Sequence, residues 1–414
     1  MQSSDEQFQT TQESPYSQLH AVSRTTYPNE EVKAPVRTSR MDEFRPKHRR
    51  ASGENLNIHS WAIQGTKKIL KGVADTILNV FRPSASKNHG VEDLHRPSLL
   101  SLEHGQSGTP SSTPGRQLVD GSRFWAVLIG IDAYQRNPLR GCVSDALLIK
   151  SYLTSDLGMP EHRIQCLLGS KYPQNPTEPS RANIVDTLYS LIGNPEIERD
   201  DNIIIYYAGH GSSYCCSEHP GTTRCDTGLC GTEALCPIDR DTQDSGGKWT
   251  PDISDREIDY VISQICRAKG HRITFIVDCS FSSGLSRQPL ADAELRSIHP
   301  TSHASLDDML RAAHERWKGL PYYRSILSKD WQPDMDSHVV LVACQDYQTA
   351  REVEGPNGFN GVFTKTLVRV LRSADWKEEM TYIDLVNLMN QSPFQTPSVA
   401  GKWMMERLWC TRPQ

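Results

Sequence analysis

Residues 201–211 read DNIIIYYAGHG and residues 271–280 read HRITFIVDCS. Each is an apolar run of strand length that stops abruptly at polar residues, the first at His210 between two glycines, the second at Asp278, Cys279 and Ser280. A run without polar alternation predicts a strand buried on both faces, as in a parallel sheet covered by helices. Chemistry in such sheets collects at the carboxyl ends of the strands, which makes these two ends the first candidates for a site. A histidine flanked by glycine has little side-chain cover, so its ring can enter a cleft while the Gly211 amide is free to donate a hydrogen bond. Taken singly, each end also has an ordinary reading, as a satisfied histidine after a strand and as a plain sheet edge.

The same texture extends in both directions. FWAVLIGI (124–131), RIQCLLG (163–169) and HVVLVACQ (338–345) read as further strands. CVSDALLIKSYLTSDLG (142–158) suits a helix closed by Gly158, and helices opened by Ser180 and Ser254 are expected in SRANIVDTLYSLIG and SDREIDYVISQICRAKG. GVFTKTLVRVLRS and TYIDLVNLMNQ supply two more before the closing GKWMMERLW. Strands alternating with helices from about residue 121 to 414 predict one α/β domain in three layers, a mainly parallel central sheet with helices on both faces.

Residues 1–120 differ. They are rich in Ser, Thr, Pro, Gln and charge, as in SGTPSSTPGR, and cannot bury enough apolar area to offset chain entropy, which predicts a mostly disordered N-terminal region. One amphipathic helix is expected inside it near 61–82: Ile69, Val73, Ile77 and Val80 recur at helical spacing, Leu70 and Phe81 widen the stripe, and Pro83 stops it. Docking onto the folded domain is its simplest role, with a membrane-surface or partner-binding role as the lesser reading. The RPKHRR run before it reads as a solvated basic stretch, with nuclear import or protease sensitivity as the minority reading.

The whole chain has 414 residues, is 37% hydrophobic and carries a formal net charge of −5, so nothing pulls it generally toward nucleic acid or an anionic membrane. No apolar stretch reaches the length of roughly 18 residues that spans a bilayer, and the first residues lack the order of a secretory signal. A soluble, cytoplasmic protein is expected, with its 11 cysteines as reduced thiols. The oligomeric state is not readable from sequence.

Together, in this order, the two strand ends resemble the caspase and metacaspase family of cysteine peptidases. The likeness runs from about residue 123 to 409, through FWAVLIGIDAY, LRGCVSDA, YYAGHGS, EALCPID followed by ISDREI, HVVLVACQDYQTARE and QTPSVAGKWMMERLW. The resemblance implies a caspase-like fold, a His210-centred dyad at adjacent strand ends and an oxyanion hole formed by the amides of Gly211 and residue 280. It also implies an acidic pocket for Arg or Lys, matched here by Cys142, Asp145 and Asp278, and hence protein or peptide substrates with basic residues. A role in regulated cell death or stress response is suggested by resemblance only. The small polar residue often found two before the histidine is Ala208 here.

The nucleophile departs from the family pattern. With the register fixed on Asp278, Ser280 stands where the cysteine is expected, Phe281 where histidine is, and Ser283 where glycine is, while Cys279 falls one position early. Because side chains alternate along a strand, Asp278 and Ser280 share a face and Cys279 points to the other, which makes Ser280 the attacking position, accessible to the cleft, and Cys279 a buried, unreactive thiol. A serine hydroxyl needs a well-oriented base, normally held by a third group, and the sequence shows no obvious orienting acid for His210. Two functions therefore stand side by side: a peptidase that cuts after Arg or Lys, and an inactive caspase-like module that binds peptides or regulates.

Three smaller readings remain. Cys215, Cys216, His219, Cys225, Cys230 and Cys236 are clustered, but their spacing matches no common zinc pattern and reads as incidental thiols in a long loop. Calcium enters by resemblance only; Asp239, Asp241 and Asp244 could serve, yet they lack a dense acidic motif and read as a solvated loop. Residues 288–335 occupy the place of the family's processing linker, polar and turn-rich at both ends, where Arg296, Arg311 and Lys318 are expected to be open to trypsin.

Overall fold

The computed structural model describes residue 119 and residues 121–409, apart from 172–176, 216–230, 282–293, 346–347, 357, 374–379 and 390–394. The amphipathic segment near 61–82, the RPKHRR stretch and most of the cysteine-rich loop lie outside the described residues. Chain order is β1 (Phe124–Ile131), α1 (Cys142–Ser151), β2 (Ile164–Gly169), α2 (Arg181–Gly193), β3 (Asn202–Ala208), β4 (Gly211–Tyr214), β5 (Thr232–Leu235), β6 (Ile253–Ser254), α3 (Asp255–Lys269), β7 (Ile273–Asp278), β8 (Glu294–Leu295), α4 (Leu306–Trp317), β9 (Val339–Val342), β10 (Arg351–Gly355), β11 (Gly358–Gly361), α5 (Val362–Arg372), α6 (Tyr382–Met389) and β12 (Ser398–Ala400).

Six of these strands form one sheet in the order β12-β9-β7-β3-β1-β2. All neighbours run parallel except β12, which is antiparallel to β9. Every residue of β1, β3 and β7 is buried. Successive side chains on a strand point to opposite faces, so burial without alternation means that both faces are covered, as the unbroken apolar runs require. In the β3–β7 register Ala208 lies opposite Asp278, so the two strands end level and His210 and Ser280 emerge side by side, each two residues further on.

The helices begin where the sequence offers a cap. Ser180 accepts from the Asn183 amide and Ser254 from the Glu257 amide, each at 3.2 Å. α1 has only Gly141 at its start, and the Asp132 carboxylate reaches over from the end of β1 to accept from the Cys142 and Val143 amides instead. Its last turns widen after Ser151 and stop before Gly158, whose φ of +70° suits a residue without a side chain.

Residues 288–335 are not an open linker where they are described. β8 pairs antiparallel with β10, Arg296 is fully buried, and α4 opens on a Ser305–Asp308 capping box. The apolar side chains of α4, Leu306, Met309, Leu310, Ala313 and Trp317, fall at helical spacing and are all buried. Among the described residues no helix is long and apolar enough to cross a membrane.

Candidate active site

His210 follows β3 in a turn clamped by tyrosines. Its amide donates to the Tyr134 hydroxyl at 3.0 Å, its carbonyl accepts from the Tyr207 hydroxyl at 2.7 Å, and the Tyr134 ring lies 4.7 Å from the imidazole centre. Nε2 lies 2.7 Å from the carbonyl oxygen of Asn137. A carbonyl can only accept, so Nε2 carries the proton and Nδ1 keeps its lone pair; Nδ1 is buried and has no hydrogen-bond partner. Burial lowers the imidazole pKa to about 4, the Asn137 contact opposing the drop and the charges of Arg240 and Arg296 adding to it. At neutral pH the ring is an uncharged base. Asn137 is the orienting group that the sequence did not reveal; its φ of +54° belongs to the left-handed region, which asparagine tolerates better than most residues.

Past β7 the alternation holds. Asp278 turns into a buried pocket, while Cys279 is 2% exposed within the apolar core, where burial pushes its thiol well above the ordinary range. The Ser280 hydroxyl has no hydrogen-bond partner and, contrary to the expectation of an open nucleophile, the residue is only 2% exposed. The chain's own segment after β8 lies against this turn, bonded to the Ser280 amide. Gly211 lies against this turn so closely that a Cβ there would come within 2.5 Å of the Ser280 carbonyl oxygen and 3.0 Å of the Cys279 sulfur.

The pocket beside Ser280 holds a guanidinium. Arg296 donates from Nη2 to Asp145 Oδ2 at 2.6 Å and to Glu352 Oε2 at 3.2 Å, and Nη1 lies 2.7 Å from Asp278 Oδ2, an ion pair by distance without hydrogen-bond alignment. All four side chains are fully buried. Each carboxylate is itself held: Asp145 by Asn360 and the Gly361 amide, Asp278 by Thr364, and Glu352 by the amides of Arg140 and Gly141. Burial raises Asp145 to about 7 despite the pull of Arg296. For Arg296 burial works against the charge, but Asp278 and Asp145 outweigh it and hold its pKa well above the ordinary value. Cys142 lies beside this group, buried at the start of α1, its thiol pushed well up by burial. Arg296 itself, expected to be a trypsin-open linker residue, is buried among Asp145, Asp278 and Glu352.

The backbone of the same residue completes the arrangement. The carbonyl oxygen of Arg296 accepts from the Gly211 amide at 3.2 Å and from the Ser280 amide at 3.1 Å. Two converging N–H groups on one carbonyl, beside a hydroxyl and a neutral imidazole, are the geometry that polarises a carbonyl for attack.

The caspase domain profile matches residues 123–401. The chain belongs to the caspase domain family. Among curated relatives, Metacaspase-9 of Arabidopsis thaliana is 28% identical over 44% of this chain and 48% of its own length. Metacaspase-1A of Aspergillus niger is 28% identical over 30% of this chain and 33% of its own. The chain thus spans half or less of the length of these curated relatives. Among solved structures, the Drosophila initiator caspase Dronc covers 79% of this chain and 97% of its own at 10% identity and a TM-score of 0.37. A Geobacter sulfurreducens protein, GSU0716, covers 69% and 99% at 19% identity and a TM-score of 0.46.

Within this caspase domain the residues offered for calcium do not converge. Asp239 accepts from the Arg181 amide, Asp241 from the Thr301 hydroxyl, and Asp244 from the Gly246 and Lys248 amides. Among the described residues no group of three or more His, Cys, Asp or Glu is placed to hold a metal ion. Cys215 is an exposed free thiol, and Cys236 is buried beside Asp252, its thiol donating there at 3.6 Å. Two more residues of this arrangement escaped the sequence reading besides Asn137. Glu352 was not singled out, and Arg296 read as one basic residue among several in a polar stretch; the pairing of β8 with β10 brings both to the pocket.

Proposed function

We propose that this caspase domain binds peptides with Arg or Lys ahead of the scissile bond and hydrolyses that bond through Ser280 and His210. The seating of Arg296 carries the reading: a basic side chain among three carboxylates, with its own carbonyl on the Gly211 and Ser280 amides. In a bound peptide, Nδ1 of His210 takes the proton of the Ser280 hydroxyl as Oγ attacks the carbonyl carbon. The resulting oxyanion is held by the two amides, and the protonated ring gives its proton to the leaving amine. Water, deprotonated by the same ring, then splits the ester and leaves a carboxylate on the basic residue. A ring held to about 4 is a weak base for a hydroxyl, so turnover is slow.

One observation favours a second reading, a module that binds basic peptides without turnover. Ser280 Oγ and His210 Nδ1 each lack a hydrogen-bond partner and so are not joined to one another. Fluorogenic peptides ending in Arg, Lys or Asp separate the two when assayed on the purified chain beside Ser280→Ala and Ser280→Cys. Hydrolysis after Arg and Lys that disappears in Ser280→Ala supports the peptidase. Equal background in parent and Ser280→Ala, with a gain in Ser280→Cys, supports the binding module. A folded Ser280→Cys that stays inert overturns the peptidase reading.

A further inference from the structure

Tyr322 is held in a backbone conformation that its own packing does not explain. Among the described residues, five other than glycine have positive φ. Three are Asn or Asp, which tolerate it, and a fourth, Trp409, is buried against Phe124 and Tyr152. Tyr322, at φ +61°, is 71% exposed. A bulky side chain in this region is strained, and such strain persists only where the surroundings impose it. Here they do. Tyr323 turns inward onto Tyr260 with ring centres 5.3 Å apart, its hydroxyl accepts from the Ile326 amide at 3.1 Å, and Arg256 donates to the carbonyls of Ile326 and Ser328 at 2.8 Å each. The turn after α4 is therefore a fixed platform that presents the Tyr322 ring to solvent.

Around that ring lies positive charge without a partner. The Arg267 guanidinium of α3 stacks 4.8 Å from the ring centre, Arg199 donates from Nη1 to the Arg267 carbonyl at 3.2 Å, and Arg324 stands two residues further on. All three arginines are exposed, and among the described residues none has a carboxylate within ion-pair distance. Two acids that share the surroundings of Cys266 with Arg199 and Arg267 are engaged elsewhere, Asp336 with Lys402 and Asp334 with the Ser263 hydroxyl. Leu327, 36% exposed, adds apolar surface in the same turn. The place is remote from the cleft: Arg199 precedes β3 and Arg267 precedes β7, at the amino ends of the two strands whose carboxyl ends carry His210 and Ser280.

We propose that Tyr322, Arg267, Arg199 and Arg324 form a docking surface for an acidic segment of a partner protein, one in which Asp and Glu flank an aromatic residue. Charge complementarity selects this occupant. The whole chain carries a net charge of −5, so an acidic partner is repelled by the surface at large and drawn to this face, which fixes where it lands. Arginine and tyrosine are the residues that anchor protein partners, because a guanidinium meets a carboxylate bidentately and a phenol offers wide contact area with few rotors to freeze. The surface stands apart from the cleft, so it holds whether or not Ser280 is a nucleophile.

The full chain is titrated by fluorescence anisotropy with a fluorescein-labelled Asp-Glu-Glu-Trp-Glu-Asp peptide and with the same peptide carrying Lys for every acid. Binding of the acidic peptide alone is expected, weakened by salt, and at least about tenfold weaker in Tyr322→Ala and in Arg267→Glu. Equal affinity in Tyr322→Ala would reduce the contact to diffuse charge and overturn the proposal, as would no binding to the parent. Stability is read in parallel. Tyr322→Gly, which suits positive φ, should match or raise the parent's urea midpoint while binding is lost; a lower midpoint would give the ring a structural role and overturn the proposal. A labelled oligothymidylate that binds more tightly than the acidic peptide, or self-association of the parent that Arg267→Glu abolishes, would put another occupant on this surface and overturn it too.

Discussion

The backbone carbonyl of Asn137 stands 2.7 Å from Nε2 of His210, in the place where a serine hydrolase would carry a buried carboxylate. A neutral carbonyl fixes the tautomer and the ring plane as a carboxylate does, but contributes no charge to hold an imidazolium. Desolvation therefore dominates, and the ring stays neutral to about pH 4. The arrangement suits a nucleophile that ionises readily more than it suits a hydroxyl.

Ser280→Cys should raise hydrolysis of Arg- and Lys-ending peptides on the order of a hundredfold or more, since a thiol with a reference pKa near 8.5 ionises beside an imidazole. Adding His210→Ala to that variant should remove about 10²–10⁴ of the gain. The amide of residue 280 holds the Arg296 carbonyl oxygen, which sets that carbonyl beside the new thiolate as a second target. Attack there forms a thioester while the His210 proton passes to the Ser297 nitrogen, and water then frees the Arg296 carboxylate. Intact mass spectrometry of Ser280→Cys should find a piece beginning at Ser297; its absence, with external peptides being cut, would place that carbon out of reach of residue 280.

Acid should weaken the fold through His210. An unfolded histidine titrates near 6.5, whereas burial lowers the folded value to about 4, so between these the unfolded chain binds a proton that the folded chain refuses, and stability falls as pH drops. The share is roughly 3 kcal/mol between about pH 7 and pH 4. Urea unfolding of the parent and of His210→Gln at both pH values should show the parent losing that much more than the variant. Parallel losses would mean that the ring is solvated.

Gly361→Ala should close the pocket that holds Arg296. The residue has an ordinary φ of −66°, so backbone strain plays no part. A Cβ there would fall on the Asp278 carboxylate, 2.5 Å from Arg296 Nη1 and 2.8 Å from Asp145 Oδ2. A loss of about 1–3 kcal/mol in chemical denaturation is expected, together with new trypsin cleavage after Arg296 as its side chain is expelled. Unchanged stability and continued protection would show that the pocket has spare room.

Native thiol alkylation should label Cys215 early and Cys279 only on unfolding, because Cys215 is exposed while Cys279 is buried with its pKa raised. Peptide mapping after timed iodoacetamide treatment reads this directly. Rapid labelling of Cys279 that disappears in His210→Ala would make the cysteine the activated nucleophile and end the case for Ser280.

The sequence by itself determined the sheet and its two chemical ends. FWAVLIGI, NIIIYYA and ITFIVD are apolar at every position, and a run that cannot tolerate water on either face has few places to go but the middle of a covered parallel sheet. Alternation along one strand then sufficed to send Asp278 toward the pocket and Cys279 into the core, because that inference is local. Asn137, Glu352 and Arg296 were not legible, and α4 was read through because its polar flanks masked a helical apolar spacing. Asn137 acts through a backbone carbonyl, which every residue has; only its left-handed turn aims it at His210. Arg296 and Glu352 lie 56 positions apart and meet only because β8 pairs with β10. A charge is worth most when desolvated beside its partner, and desolvation is a property of the assembled fold that no single stretch of sequence carries.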